Sequence, residues 1–224
     1  MRRMIRGWGL RLVWLPMLFL AEGVAGASTV CLRDREVVRV RVRFEAARPR
    51  FDNDQSRERI SAMMVRKTVG AHSVGLTKSA LYWKVSARFM TASRGDREER
   101  CVHLTELTLD YGFGATPVFI DRRYPPGGCP YETILRHEKG HVAILDREGG
   151  GMRDWLQRRL SAIAADIPAM ATRSPKKTEQ ELLTRIENQT TPLFKLLKDR
   201  LTAAHARLDS PENLRQTQKQ CKKW

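Results

Sequence analysis

His137-Glu138-Lys139-Gly140-His141 sets two imidazoles four residues apart with a carboxylate beside the first. On an α-helix, positions four apart lie on one face, one turn above each other. Two imidazole nitrogens converging on one point suit zinc, whose nitrogen ligands sit at ~2.0–2.1 Å. Glu138 leaves the neighbouring edge of that face, too far round to ligate well but placed to hold a water on the metal. Zinc lowers the pKa of such a water towards ~7, so that a carboxylate can take its proton and pass it to a leaving amine. The chemistry expected is hydrolysis of an amide bond: His137 and His141 on a Zn2+ ion, Glu138 as general base.

Catalytic zinc usually takes three protein ligands plus water, and the motif supplies two. Asp146 follows His141 by five residues, about 140° round a continuous helix. A ligand six residues after His141, as in one class of zinc proteases, would fall on Arg147, which has no lone pair to offer. Asp146, Asp154, Asp166 and His103 are the candidates for the third position, and His72 is a weaker one. An outer role that orients a ligand is equally open to Asp146 and Asp154. Tyr111, Tyr124 and Tyr131 lie near the motif in sequence, but none stands out as the oxyanion stabiliser.

The motif works only on a helix, and its surroundings read as one. Pro130 suits a first helical position and Glu132 a first turn. Ile134, Leu135, Val142, Ile144 and Leu145 flank the histidines with an apolar stripe. Gly149-Gly150-Gly151 predicts the helix end, and a second helix is expected over residues 152–166.

Upstream, residues 36–45 alternate, with Val38, Val40, Val42 and Phe44 on one side and Arg39, Arg41 and Arg43 on the other, which predicts a half-buried strand. Residues 46–55 read as loop and 56–67 as helix, and the glycine-containing run 69–77 reads as a connection. Residues 81–90 give the cleanest strand signal, Leu81, Trp83, Val85, Ala87 and Phe89 facing a core. A charged turn is expected over 91–100, then a strand over 101–111 whose alternation changes phase near Thr105, the mark of a bulge. Residues 116–121 predict a short strand before the motif helix, a candidate to receive an extended substrate by edge addition. Downstream, Ser174-Pro175, Thr191-Pro192 and Ser210-Pro211 start helices over about 175–190 and 192–208 and a short one reaching towards Cys221 and Trp224.

The fold class expected is α+β: a small, mainly antiparallel sheet packed on the motif helix in a zincin-like arrangement, followed by C-terminal helices. Residues 1–27 read as a signal peptide, with Arg2, Arg3 and Arg6 ahead of a short apolar core and a small-residue cleavage site ending at Ala27. Residues 28–172 would form the metallopeptidase domain, and 173–224 a basic helical extension packed on it. Export makes two disulfides of the four cysteines, and Cys101–Cys129 with Cys31–Cys221 is the favoured pairing. The net charge is +16, and four Arg against one Glu in residues 1–27 leave +13 for the remainder. The arginines are dispersed without interleaved aromatics. That argues against a dedicated nucleic-acid module and favours a solvated basic surface, with weak contact to an anionic membrane or envelope surface as the lesser reading.

The stretch from Cys101 through Asp121-Arg122-Arg123-Tyr124-Pro125-Pro126-Gly127-Gly128-Cys129 into the histidine motif resembles a family of bacterial exported proteins known as predicted secreted zinc-dependent proteases, related to an exported domain family of unknown function. Val74-Gly75-Leu76-Thr77 and the ending from Asp209-Ser210-Pro211-Glu212-Asn213 to Cys221 and Trp224 look like further landmarks of it. The likeness covers most of the chain after residue 27, and His137, Glu138 and His141 match the family's metal motif one by one. The resemblance implies a periplasmic or secreted hydrolase acting on protein or peptide in the cell envelope. Hydrolysis of a cell-wall amide would use the same residues. A non-catalytic periplasmic envelope protein, with a structural or vestigial zinc site and the basic helical tail as its interaction surface, is the alternative.

Overall fold

The computed structural model describes Cys31 and residues 37–64, 73–94 and 97–224. The expected leader, its cut after Ala27, and His72 fall outside the described residues.

Two small sheets form where one was expected, and both are mixed: three strand pairs are antiparallel and two are parallel. In the first, β1 (Arg39–Glu45), β5 (Arg97–Gly112) and β4 (Tyr82–Arg94) lie in that order, and β7 (Met170–Thr172) also pairs with β5. In the second, β6 (Ala115–Ile120) lies between β2 (Arg48–Asp52) and β3 (Gly75–Thr77). The pairs β1–β5 and β2–β6 are parallel and share one register offset: Arg39 faces Glu106 and Arg48 faces Ala115, 67 residues apart in both cases. Two ribbons thus run side by side through both sheets. That pairing is why residues 48–52 are strand and not loop. Their side chains are mostly exposed and show no alternation, so β2 owes its conformation to β6, and Pro49 is tolerated on an outer strand.

The β4–β5 hairpin is longer than its hydrophobic pattern. The ladder continues through the charged residues taken for a turn, Thr91 with Val102 and Ser93 with Arg100. Leu81, just before β4, and Trp83, Val85, Ala87 and Phe89 along it all pack against the core, as their period of two predicts. The bulge falls where the phase changes. Arg88 faces Glu106 and Phe89 faces Leu104, so Thr105 is the extra residue, and its hydroxyl donates to the Arg88 carbonyl at 3.0 Å.

Helix α1 (Arg57–Ala62) is capped by the Ser56 hydroxyl and is shorter than expected. Helix α2 (Cys129–Gly151) carries the motif and runs through the glycines expected to end it. Gly149 is there for space. A Cβ on it would lie 2.6 Å from the Phe44 ring and 2.8 Å from the Phe113 ring. The buried Tyr111 hydroxyl also donates to the Gly149 carbonyl at 2.8 Å. Packing on the sheet outweighs the poor helix propensity of glycine.

Helices α3 (Arg153–Ala165), α4 (Pro175–Thr190), α5 (Leu193–Leu208) and α6 (Pro211–Gln218) complete the chain. Leu156 and Leu160 of α3, Leu182 and Ile186 of α4, and Phe194 and Leu197 of α5 share one core with Leu107, Leu109 and Tyr111 of β5. Phe194 stacks on Trp83 at 4.6 Å. Each such buried side chain contributes ~1.5–3 kcal/mol, which secures α5 to the sheet. Helix α6 buries no residue.

The disulfides are Cys31–Cys101 and Cys129–Cys221, not the favoured pairing. Cys101 lies inside β5 between Ala92 of β4 and Ala171 of β7, with the rest of β5 and all of β6 between it and Cys129 along the chain. Cys129 opens α2 beside the chain terminus, where the Arg136 guanidinium also donates to Gln220.

Candidate metal centre

α2 holds the motif with its buried side against β3 and β6, and α5 closes on its flank. Thr133, Ile134, Glu138, Val142, Ile144 and Leu145 are buried. β3 sits so close that a Cβ on Gly75 would lie 2.5 Å from Glu138 Oε1 and 2.7 Å from Ile134 Cγ2. On the α5 side, Gly140 is the contact point. A Cβ there would lie 3.0 Å from Leu208 Cδ2, so the glycine inside the motif sets how near α5 comes.

That approach brings in a third donor, Asp209, at the C-terminal end of α5. Its Oδ1 lies 3.1 Å from His137 Nε2 and 3.0 Å from His141 Nε2. One nitrogen from each histidine and one carboxylate oxygen lie within 4.8 Å of one another, so His137, His141 and Asp209 could hold a metal ion. The donor set fits a divalent ion with nitrogen and oxygen ligands. Both histidine side chains keep 12 % exposure and Asp209 keeps 48 %, so the group is reached from the Asp209 side.

His205 completes the cluster without facing the same point. Its Nδ1 lies 2.8 Å from His141 Nδ1, the nitrogen turned away from Asp209. His205 and Asp209 are themselves four apart, and the Asp209 N–H donates to the His205 carbonyl at 2.9 Å. The last turn of α5 therefore presents a pair on one face, opposite the pair on α2.

The electrostatics follow from these contacts. Burial pushes Asp209 up, and hydrogen bonds from His137 and His141 more than reverse it, holding the carboxyl well below the usual range. The bond to Asp209 raises the His137 pKa against the opposing effect of burial. Burial lowers the His205 pKa, with His141 adding to it. Burial raises Glu138, against the pull of His141, a hydrogen bond from Thr77, and His137. The Thr77 hydroxyl donates to Glu138 Oε2 at 2.7 Å and also lies 3.1 Å from the Glu138 carbonyl.

None of the four sequence candidates for the third ligand joins the group. Asp146 accepts the Ala47 N–H at 2.8 Å and so ties α2 to the turn between β1 and β2. Asp154 and Asp166 are exposed at the two ends of α3, and His103 lies on β5 opposite Met90. Asp209 belongs to a run noted only as a landmark. The readable signal was His205-x-x-x-Asp209, a second pair of donors at helical spacing. Tyr111 is spent on Gly149, and Tyr124 packs against Trp224. β6 is not available for edge addition, because β2 and β3 occupy its two sides. β3 is the outer strand on the α2 side.

Comparison of the chain with models of protein families, with curated proteins and with solved structures finds no match.

Proposed function

We propose that this chain is an exported zinc metallopeptidase of zincin-like fold, cutting peptide bonds in proteins or peptides of the cell envelope. The observation that carries the reading is the convergence of His137 Nε2, His141 Nε2 and Asp209 Oδ1 beside a buried Glu138. These three residues would hold the ion. When bound, zinc supplies Lewis acidity towards a water and a carbonyl oxygen. His205 turns to the far nitrogen of His141, so the donor set among the described residues stops at three, as a catalytic site requires and a closed structural site does not.

The remaining work falls to this chain's own groups. Burial raises the Glu138 pKa, a shift towards the proton-holding form that a general base needs when it later serves as acid. Thr77 fixes the rotamer of its carboxyl. Among the described residues β3 (Gly75–Thr77) pairs only with β6, and its other edge offers a backbone to which an extended peptide can add beside Glu138. Two disulfides, and the absence of any helix among the described residues long and apolar enough to cross a membrane, are compatible with export.

The alternative, a non-catalytic envelope protein with a structural ion, draws on one observation: the Glu138 carboxyl is engaged by Thr77 and covered by Gly75. Glu138→Gln separates the two. Retained zinc with peptide cleavage reduced by roughly 10²–10⁴-fold supports the enzyme, and unchanged cleavage removes Glu138 from the mechanism.

A further inference from the structure

We propose that the Cys129–Cys221 disulfide is a redox control on the metal centre: a dithiol reductant opens this bridge ahead of Cys31–Cys101, and the opened chain holds a divalent ion less tightly. The proposal rests on the metal-centre reading above.

The two bridges sit in different surroundings. Cys31 and Cys101 are both buried, at 7 % and 8 % exposure. Cys101 is also held in the ladder between Ala92 and Ala171. Cys221 is buried as well, but its partner Cys129 is exposed at the start of α2. One end of this bridge therefore faces solvent. Lys219, Lys222 and Lys223 are exposed within two residues of Cys221, and Arg136 reaches Gln220, against one acid, Glu132, in the first turn of α2. Such an electropositive setting draws an attacking thiolate.

A thiolate of the reductant attacks Cys129 Sγ, and the Sγ–Sγ bond breaks. Cys221 leaves as a thiolate. The buried Thr133 hydroxyl, 3.2 Å from its Sγ, donates to it until it takes a proton from solvent. The second thiol of the reductant then attacks the reductant's own sulfur in the mixed disulfide. That expels Cys129 at the first position of α2, where a helix N-terminus favours a thiolate. Two electrons and two protons pass to the chain, which ends with two thiols while the reductant ends as a disulfide.

The bridge holds the corner that carries Asp209. α6 follows Asp209 and buries no residue. Exposed hydrogen bonds also tie this segment down: the Asn213 amide donates to the Arg207 carbonyl at 2.8 Å, and the Arg136 guanidinium to Gln220 Oε1 at 2.5 Å. Opening the bridge leaves the path of the chain after Asp209 to contacts of that kind. The carboxylate then loses its fixed place, while His137 and His141 stay in the interior of α2.

The test uses the intact chain in graded mixtures of reduced and oxidised dithiothreitol, trapped with iodoacetamide and read by mass spectrometry. Cys129 and Cys221 should be capped at ratios where Cys31 and Cys101 stay unlabelled. Capping also keeps the new thiols from binding zinc. Zinc competition on this capped chain should give an affinity about 10-fold or more below the untreated chain. The Cys129→Ser/Cys221→Ser double variant, which carries no bulky cap, should show the same loss. Thr133→Val should slow the opening by at least about threefold, and an unchanged rate removes its hydroxyl from the step. Labelling of all four cysteines together, or of Cys31 and Cys101 first, overturns the control and leaves the metal centre standing. Unchanged zinc affinity in the double variant does the same. No zinc on the untreated chain overturns the metal-centre reading, and the control with it.

Discussion

Helix α2 and the corner between α5 and α6 supply the same group of donors but are held by different means. α2 presents His137 and His141 from the interior of a 23-residue helix, with buried residues from Thr133 to Gly149. The corner presents Asp209 from the end of a helix, half-exposed and followed by α6, which buries nothing. Phe194, Leu197 and Leu201 anchor α5 from the apolar side, and Cys129–Cys221 ties the chain end back to the start of α2. Two donors are thus carried by a helix packed into the core, and the third depends on how two helices dock. Local geometry can be strict in the first region, while affinity is tuned in the second.

The most disruptive way to probe this contrast is to remove donors. His137→Ala should abolish zinc binding by elemental analysis of the purified chain. Asp209→Asn should weaken it by at least about 100-fold, since the loss of an outer partner alone costs 10–100-fold. Wild-type affinity in Asp209→Asn would remove the corner from the site.

The two disulfides sharpen the comparison at the next scale. They close loops of similar length, with separations of 70 and 92 residues. Replacing either pair with serine should cost about 2–4 kcal/mol in denaturant unfolding. Only the Cys129/Cys221 double variant should also lower zinc affinity, because only that bridge spans from α2 to the segment after Asp209. Equal effects on zinc would make the bridge a general staple.

Glycines probe α2 itself. Gly75→Ala and Gly149→Ala each force a methyl into occupied space and should destabilise by about 1–3 kcal/mol. Gly151, with nothing within 4 Å of its Cβ position, should instead gain on substitution by alanine, by about 0.5–1 kcal/mol. A stabilised Gly149→Ala would mean that the Phe44 and Phe113 rings move aside at little cost.

The smallest effect is on pH dependence without metal. The His137 pKa is raised in the fold, so its contribution is full below the unfolded value near ~6.5 and is lost as pH rises through the folded one. The Asp209 pKa is lowered, so its contribution is present above the unfolded value near ~3.9 and is lost as pH falls through the folded one. The gap in melting temperature between the metal-free wild type and Asp209→Asn should therefore be widest near pH 5–6 and narrow above the His137 pKa. A gap independent of pH would show that the pair contributes nothing through charge.

Where the chain's pattern was local, it could be read. Leu81 to Phe89 alternate and pack on the core, the phase change at Thr105 is a bulge, and the serine–proline and threonine–proline starts mark α4, α5 and α6 within a residue or two. Where structure came from a distant partner, it could not. Residues 48–52 look like loop because their strand character is lent by β6. Gly149 and Gly150 look like a stop because local propensity says nothing of the Phe44 and Phe113 rings. The third donor was not legible because nothing local marks α5 as the helix that packs beside the motif.

By itself the sequence determined the paired imidazoles and the carboxylate beside them, since a spacing of four on a helix follows from 3.6 residues per turn. It also determined the cysteine count and the rhythm of the main strands. Which cysteines pair, which strands run parallel, and that Asp209 and His205 stand opposite His141 were decided only by the tertiary structure. Those relations join residues from 64 to 92 positions apart. They are set by packing surfaces such as Gly140 against Leu208, whose fit no local pattern encodes.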